Sequence, residues 1–266
     1  MDDSRFMQLL DFMDASWKGY RKVRKGVKKR ISRHMQELDC RDMADYIERL
    51  SADEKACAEC KRLMGVSISR FFRDRRLWVI LEKRVLPELV KQGRSPLKIW
   101  FAGCAGGEEV YSFRILWEEF SGSIEKPPEL RVLATDINPE YLERARTGIY
   151  PAGTLREVDE TRLARWFSKH GKNHFAIAGS LQQDVYWKVL DHLKDALPPD
   201  GLDIVFLRNS ILTYYPEEVF SEALARISAA IAPYGFLIIG AKEEIPDPGR
   251  QNLLRYDRYI YRKTVS

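Results

Sequence analysis

The feature that most limits the fold is a change of hydrophobic period at the turn cluster Gly93-Arg94-Ser95-Pro96. Before it, apolar residues recur at helical spacing: Phe6, Leu9, Leu10 and Met13, then Val23, Val27, Ile31 and Met35. Further helical stretches run from Asp42 to Leu50 and onward after Ser51, where Ser51 and Glu54 have the spacing of a capping box. After the cluster, Leu97–Ala102, Arg131–Thr135, Asp184–Val189, Asp203–Leu207 and Phe236–Gly240 read as strands. Between them Glu108–Phe120, Glu140–Thr147 and Pro216–Ile231 read as helices. Strand and helix in alternation predict a parallel sheet with helices on both faces. The aromatic tail Leu253–Lys263 predicts an antiparallel hairpin at the sheet edge, and between Tyr150 and Gln183 the alternation fails, which predicts a small inserted subdomain.

Hydrophobic residues make up 45% and charged residues 31% of the 266, enough apolar mass for a real core. No apolar run approaches the length that spans a bilayer, and no uncharged apolar region follows Met-Asp-Asp-Ser-Arg, so the expected location is the cytoplasm. Cys40, Cys57, Cys60 and Cys104 are too few for a disulfide scaffold. Cys57 and Cys60 form a CxxC inside a helical stretch, but a closed zinc site needs four ligands, and only Cys40 and His34 are near. No metal is expected. Charge is uneven: residues 1–95 hold 23 Lys/Arg against 15 Asp/Glu, while the rest of the chain is slightly acidic. The N-terminal part should therefore meet an acidic partner.

The strongest local signal is the stretch from Leu97 to Glu109, an apolar strand running through Ala102 and Gly103 into a small-residue turn and then a helix. Glycines there let a ligand approach the backbone, and the end of the first strand is where such sheets bind ligands. Glu108 and Glu109 fall in the first helical turn. Carboxylates there suit the helix dipole but are poor neighbours for a pyrophosphate. They suit a ligand carrying ammonium and sulfonium charge. Asp136 ends the next strand, Ala134-Thr-Asp-Ile137, at a position that reaches ribose hydroxyls. Asp191 ends the third strand candidate and could accept from an adenine amino group. Each acid alone could be a solvated cap; jointly they describe a site for a cationic nucleoside.

The segments Ser69-Arg70-Phe71-Phe72-Arg73-Asp74, Gly103–Glu109 with Tyr111-Ser112, Ala134–Ile137 and Arg208-Asn209 resemble, in order and spacing, the CheR family of chemoreceptor glutamate methyltransferases. The likeness extends to the basic stretch near Arg24–Arg33, to Ala145–Tyr150 and to Gly240 with Glu243. It implies a Rossmann-like class I methyltransferase sheet with helices on both faces, a small inserted β-subdomain near 150–183 and an all-helical N-terminal domain. The boundaries expected are 1–80 for the helical domain, 81–95 for a linker and 96–266 for the methyltransferase domain. The implied cofactor is S-adenosylmethionine, with S-adenosylhomocysteine as product. The implied reaction is methyl esterification of glutamates on glutamate-rich helices of chemoreceptor cytoplasmic domains. By matching position, Ser67, Ser69, Arg73, Glu108, Asp136, Ile137, Asp191, His192, Leu207, Arg208 and Asn209 would line the cofactor site beside Ala102 and Gly103.

The sequence departs from the family pattern in places. Ser67 stands for Asn, Ser69 for Thr, Asp191-His192 for Asn-Leu, Gly106 for Ser or Thr, and Lys242 before Glu243 is unusual. The family's Arg-Asn-x-x-Ile-Tyr-Phe becomes Arg208-Asn-Ser-Ile-Leu-Thr-Tyr214-Tyr215. An ungapped match puts Thr213 at the tyrosine of the methyl-transfer site; Tyr214 or Tyr215 takes that place after a small shift, and Tyr214 with Arg73 forms the expected catalytic pair. The compact hairpin Lys169–His174 implies no tethering to a receptor's C-terminal peptide.

A glutamate carboxylate is already ionised at pH 7, so methyl transfer to it needs no general base. Arg73 could orient a carboxylate through its planar fork. Arg21, Lys22, Arg24, Lys25, Lys28, Lys29, Arg30 and Arg33 fall within 13 residues that hold no acid. Of these, Arg21, Arg24, Lys25, Lys28, Lys29 and Arg33 are the expected docking face for an acidic helix. Nucleic acid is the rival partner, but only Trp17 and Tyr20 are at hand to stack bases. Two alternatives stay open: the same cofactor with another acceptor (RNA, another protein or a small molecule), and a non-catalytic S-adenosylmethionine-binding regulator.

Overall fold

The computed structural model describes residues 1–67 and 69–265. The chain divides into two compact units, residues 1–66 with 209–222, and residues 67–208 with 223–266. Limits at 80 and 95 do not coincide with this division, which counts 67–95 with the sheet.

The first unit is helical. Asp3–Phe12, Trp17–Tyr20, Arg24–Glu37, Met43–Ala52 and Glu54–Met64 follow one another, and the short helix Ile211–Tyr214 packs with Trp17–Tyr20. The stripes read from the sequence face inward: Phe6, Leu9, Leu10, Val27 and Ile31 join Tyr46, Leu50, Cys60 and Met64 in one core. One detail differs from expectation. Ser51 does not cap the fourth long helix; it still belongs to the preceding one, and its hydroxyl donates to Ile47 O at 2.9 Å. Asp53 is the cap, accepting from the Lys55 and Ala56 amides. A hydroxyl inside a helix finds the carbonyl one turn back, leaving the first carboxylate beyond the helix to start the next.

Among the described residues the second unit holds ten strands: β1 Leu97–Ala102, β2 Leu130–Asp136, β3 Ile149–Pro151, β4 Phe167–His170, β5 His174–Ile177, β6 Val185–Val189, β7 Leu202–Leu207, β8 Ile231–Ile239, β9 Leu253–Asp257 and β10 Ile260–Lys263. Seven form one sheet in the order β6-β2-β1-β7-β8-β10-β9. Pairing is parallel from β6 to β8 and antiparallel at β10 and β9, as the tail pattern predicted. β1 and β7 are nearly continuous runs of buried residues, because both sheet faces are covered. Phe101, Phe113 and Phe206 pack as a cluster, the rings of Phe101 and Phe206 stacked with centroids 4.2 Å apart. β3, β5 and β4 form a separate antiparallel sheet, the inserted subdomain, anchored through Tyr150, Phe167 and Ile177. The strand order switches direction between β1 and β7, and because the strands from β6 to β8 run parallel, the carboxyl ends of β1, β2 and β7 lie along one edge of the sheet, the edge where such sheets bind ligands.

Candidate functional site

The turn after β1 is held by unusual backbone and by one carboxylate. Gly103 and Gly107 have φ of 86° and 84°, and Ala105 between them also has positive φ, 48°. At Gly107 backbone and space both call for glycine: beyond its φ, a Cβ there would stand 2.8 Å from Ala145 Cβ and 3.0 Å from Trp187. The amides of Gly103 and Cys104 donate to Thr135 O at 2.8 and 2.9 Å, stitching the turn to the end of β2. Asp136 completes the stitch. Its Oδ2 accepts from Ala105 N and its Oδ1 from Asn138 N, both at 2.9 Å. Burial raises its pKa while these amides pull the other way. Asp136 therefore shapes the turn, and each oxygen, holding two lone pairs, retains acceptor capacity for a hydroxyl.

Glu108 opens the helix Glu108–Ser121 and is 1% exposed. Its Oε1 accepts from Arg144 Nη2 at 3.1 Å, and its Oε2 is buried with no hydrogen-bond partner. Burial raises its pKa, opposed first by the Arg144 guanidinium. A buried carboxylate with one orphan oxygen is costly unless something positive or hydrogen-bonding completes it. That donor set fits an ammonium-bearing nucleoside and fits a pyrophosphate poorly.

Other expected residues turn out to have protein partners. Arg208, at the end of β7, is buried and clamps Glu109 and Asp74, with its Nε also donating to Ile239 O. The Asp191 carboxylate accepts from Leu193 N at 3.0 Å, and its own amide donates to Asp195. His192 is buried, its Nε2 lying 2.9 Å from Thr135 Oγ1, which also accepts from Trp100 Nε1. Burial pushes the imidazole down to about 4, so it is neutral at physiological pH. Ala102 and Leu207 end their strands buried, and Ile137 follows Asp136 in the loop after β2.

Phe71 and Phe72 are core residues. Phe71 packs edge-on against Tyr150 and Phe167, and its amide donates to Thr154 O. Phe72, with φ of 51°, donates its amide to Ser112 Oγ at 2.9 Å. The Arg73 carbonyl accepts from the Trp78 indole. Asn209, with φ of 53°, follows β7 directly in the chain. Tyr214 lies in the helical unit, its ring 4.9 Å from that of Tyr20, and its carbonyl accepts from Ser16 N.

The basic helix Arg24–Glu37 divides into two sets. Asp3 takes Arg24 Nε at 2.9 Å and Lys28 Nζ at 2.5 Å, and Arg30 bonds the carbonyls of Leu63 and Gly65. Lys25, Lys29 and Arg33 on the helix remain exposed, as does Arg21 just before it, each four residues from the next. Asp3 lies 21 residues from Arg24, so no local pattern in the sequence could have separated the two sets.

The CxxC thiols have another role. Cys60 is buried in the helical core, which pushes its thiol up to about 12, and Cys57 is half-buried. Among the described residues no group of three or more His, Cys, Asp or Glu is arranged to hold a metal ion, and no helix is long and apolar enough to cross a membrane.

Sequence reading missed Arg144, which partners Glu108 from the helix Pro139–Thr147, and the Asp74–Arg208–Glu109 clamp. The one available signal for the first was Gly106 where the resembling family has Ser or Thr.

The strand order, with β10 antiparallel between β8 and β9, an acid ending β2 and acids opening the helix after β1 define a class I S-adenosylmethionine methyltransferase fold. Residues 67–260 match the CheR methyltransferase SAM binding domain, and the chain belongs to that family. It is 29% identical over 238 residues to the chemotaxis protein methyltransferase of Listeria innocua, covering 90% of this chain and 88% of that one. It is 29% identical over 224 residues to chemotaxis protein methyltransferase 1 of Pseudomonas aeruginosa, covering 82% and 81%. Among solved structures, a TehB-like SAM-dependent methyltransferase from Corynebacterium glutamicum is 15% identical, covering 71% of this chain and 92% of that one, with a TM-score of 0.37.

Proposed function

We propose that this chain acts in the cytoplasm as a protein-glutamate O-methyltransferase, esterifying glutamates on the acidic cytoplasmic helices of chemoreceptors. Membership of the CheR family supports the reaction class. The observation that carries the cofactor reading is the buried Glu108 with an orphan Oε2, in the first turn of the helix that follows β1, with Asp136 at the end of the adjacent strand β2. Bound there, S-adenosylmethionine supplies a methyl group on a sulfonium centre and leaves as S-adenosylhomocysteine. Glu108 takes the ammonium, Asp136 the ribose hydroxyls, and Asp191 and His192 border the adenine, with Ser67, Ser69, Ala102, Gly103, Ile137, Leu207, Arg208 and Asn209 completing the lining. Arg73 orients a carboxylate and Tyr214 lines the transfer site. The acceptor carboxylate is ionised at pH 7, so the protein contributes position and exclusion of water, which together supply about 7–11 kcal/mol in favourable cases. Arg21, Lys25, Lys29 and Arg33 receive the acidic helix; Arg24 and Lys28, tied to Asp3, contribute less. The β4–β5 hairpin, with four residues in each strand, leaves the enzyme untethered to a receptor tail.

Labelled methyl incorporated into receptor fragments and released by mild alkali is the expected result; label that survives alkali points to another acceptor chemistry, and cofactor binding with no transfer points to a regulator. Asp136→Ala should weaken S-adenosylhomocysteine binding by about 1.5–3 kcal/mol, roughly ten- to a hundredfold, measured by calorimetry. Unchanged affinity would remove the ribose assignment.

A further inference from the structure

Arg144 stands in a space that only glycine leaves open. A Cβ on Gly106 would lie 1.9 Å from Arg144 Nη2 and 2.5 Å from its Cζ and Nε. The φ of Gly106 is not in the left-handed region, so the backbone does not require glycine here. What requires it is the guanidinium lying across the turn. From that place Arg144 reaches Glu108 Oε1 at 3.1 Å, its Cζ 5.9 Å from the centroid of the Tyr141 ring. The two ends differ in burial: the Glu108 side chain is 2% exposed and that of Arg144 38%. The carboxylate is thus held from the solvent side by one oxygen, and the other oxygen is left buried with no partner.

We propose that Arg144 is a positioning residue for the cofactor: seated over Gly106, it fixes Glu108 so that Oε2 is presented to the ammonium of the methionine moiety. Gly106 and Arg144 then act as one device. Any side chain at 106 evicts the guanidinium, whose end is flexible, rather than displacing the backbone. This inference rests on the cofactor site described under Proposed function.

Two ligands separate position from mere stability. S-adenosylhomocysteine carries the ammonium; 5′-methylthioadenosine shares the adenosine thioether and lacks the amino-acid part. Calorimetric affinities of both should be measured for the full chain and for Gly106→Ala, Arg144→Met, Arg144→Lys and the double variant Gly106→Ala/Arg144→Met. The expected result is a loss of about tenfold in S-adenosylhomocysteine affinity for Gly106→Ala and for Arg144→Met. Methylthioadenosine affinity stays at the unsubstituted value, the double variant is no worse than either single one, and Arg144→Lys recovers most of the loss. Additive effects in the double variant, equal losses for both ligands, or full S-adenosylhomocysteine affinity in Arg144→Met would each overturn the proposal. If the unsubstituted protein binds neither ligand, the cofactor site itself is wrong and the inference falls with it. Binding of both ligands alongside any of the other adverse results sinks only the role of Arg144.

Discussion

His192 shows how far a single side chain can depart from what its position suggests. Near a strand end it would be expected to titrate like an ordinary imidazole, yet its Nε2 is engaged by Thr135, and burial holds its folded pKa at about 4 against an ordinary 6.5. Between those values the unfolded chain binds a proton that the folded chain refuses. This residue therefore stabilises the fold less and less as pH falls from about 6.5 to about 4, by up to roughly 3 kcal/mol. In His192→Gln, the pH dependence of unfolding in urea should be shallower than in the unsubstituted protein across that window. Parallel curves would show that His192 is solvated. Arg208 makes the same point for charge: a residue matched to the cofactor site by sequence spends its guanidinium on Asp74, Glu109 and a carbonyl, because a buried cation needs anions close by.

At the level of the element, the β1–turn–helix segment was legible in the sequence down to its residues. The run from Leu97 to Ala102 became β1 with the same bounds, and Glu108 begins the helix as expected. Hydrophobic period and glycine clustering are local signals, and this element is local. What the turn demands of each glycine was not legible. Gly107 combines a left-handed backbone with a crowded Cβ position, whereas Gly93, with φ of 69°, has nothing within 4 Å. Gly93→Ala should therefore cost only the backbone term, about 1–2 kcal/mol. Gly107→Ala should cost more than that and also impair cofactor binding, since Ala145 and Trp187 would have to move. Equal losses of stability for the two in thermal unfolding would contradict this.

Over the whole molecule, charge is sorted by contacts between distant parts of the chain. The basic stretch looked like one uniform face, but Asp3 and the carbonyls of Leu63 and Gly65 occupy Arg24, Lys28 and Arg30. Charge reversal of Arg21, Lys25, Lys29 and Arg33 to Glu should raise the KM for receptor fragments several-fold and flatten its salt dependence, leaving cofactor affinity unchanged. Arg24→Ala should instead act mainly through stability, by breaking a partly exposed ion pair, and leave that KM near its unsubstituted value. If both sets shifted KM alike, the division made by Asp3 would have no functional meaning.

The amino-acid sequence by itself determined the helical opening, the alternating sheet that follows, the ligand-side turn and the acids at the strand ends, because each depends on residues within one element or its immediate neighbour. Tertiary structure alone decided which of those acids and bases are already satisfied. Arg144 meets Glu108 across 36 residues, Arg208 meets Glu109 across 99, and Arg24 meets Asp3 across 21. A buried charge takes whichever partner the fold brings within hydrogen-bond reach, and sequence spacing carries no record of that distance.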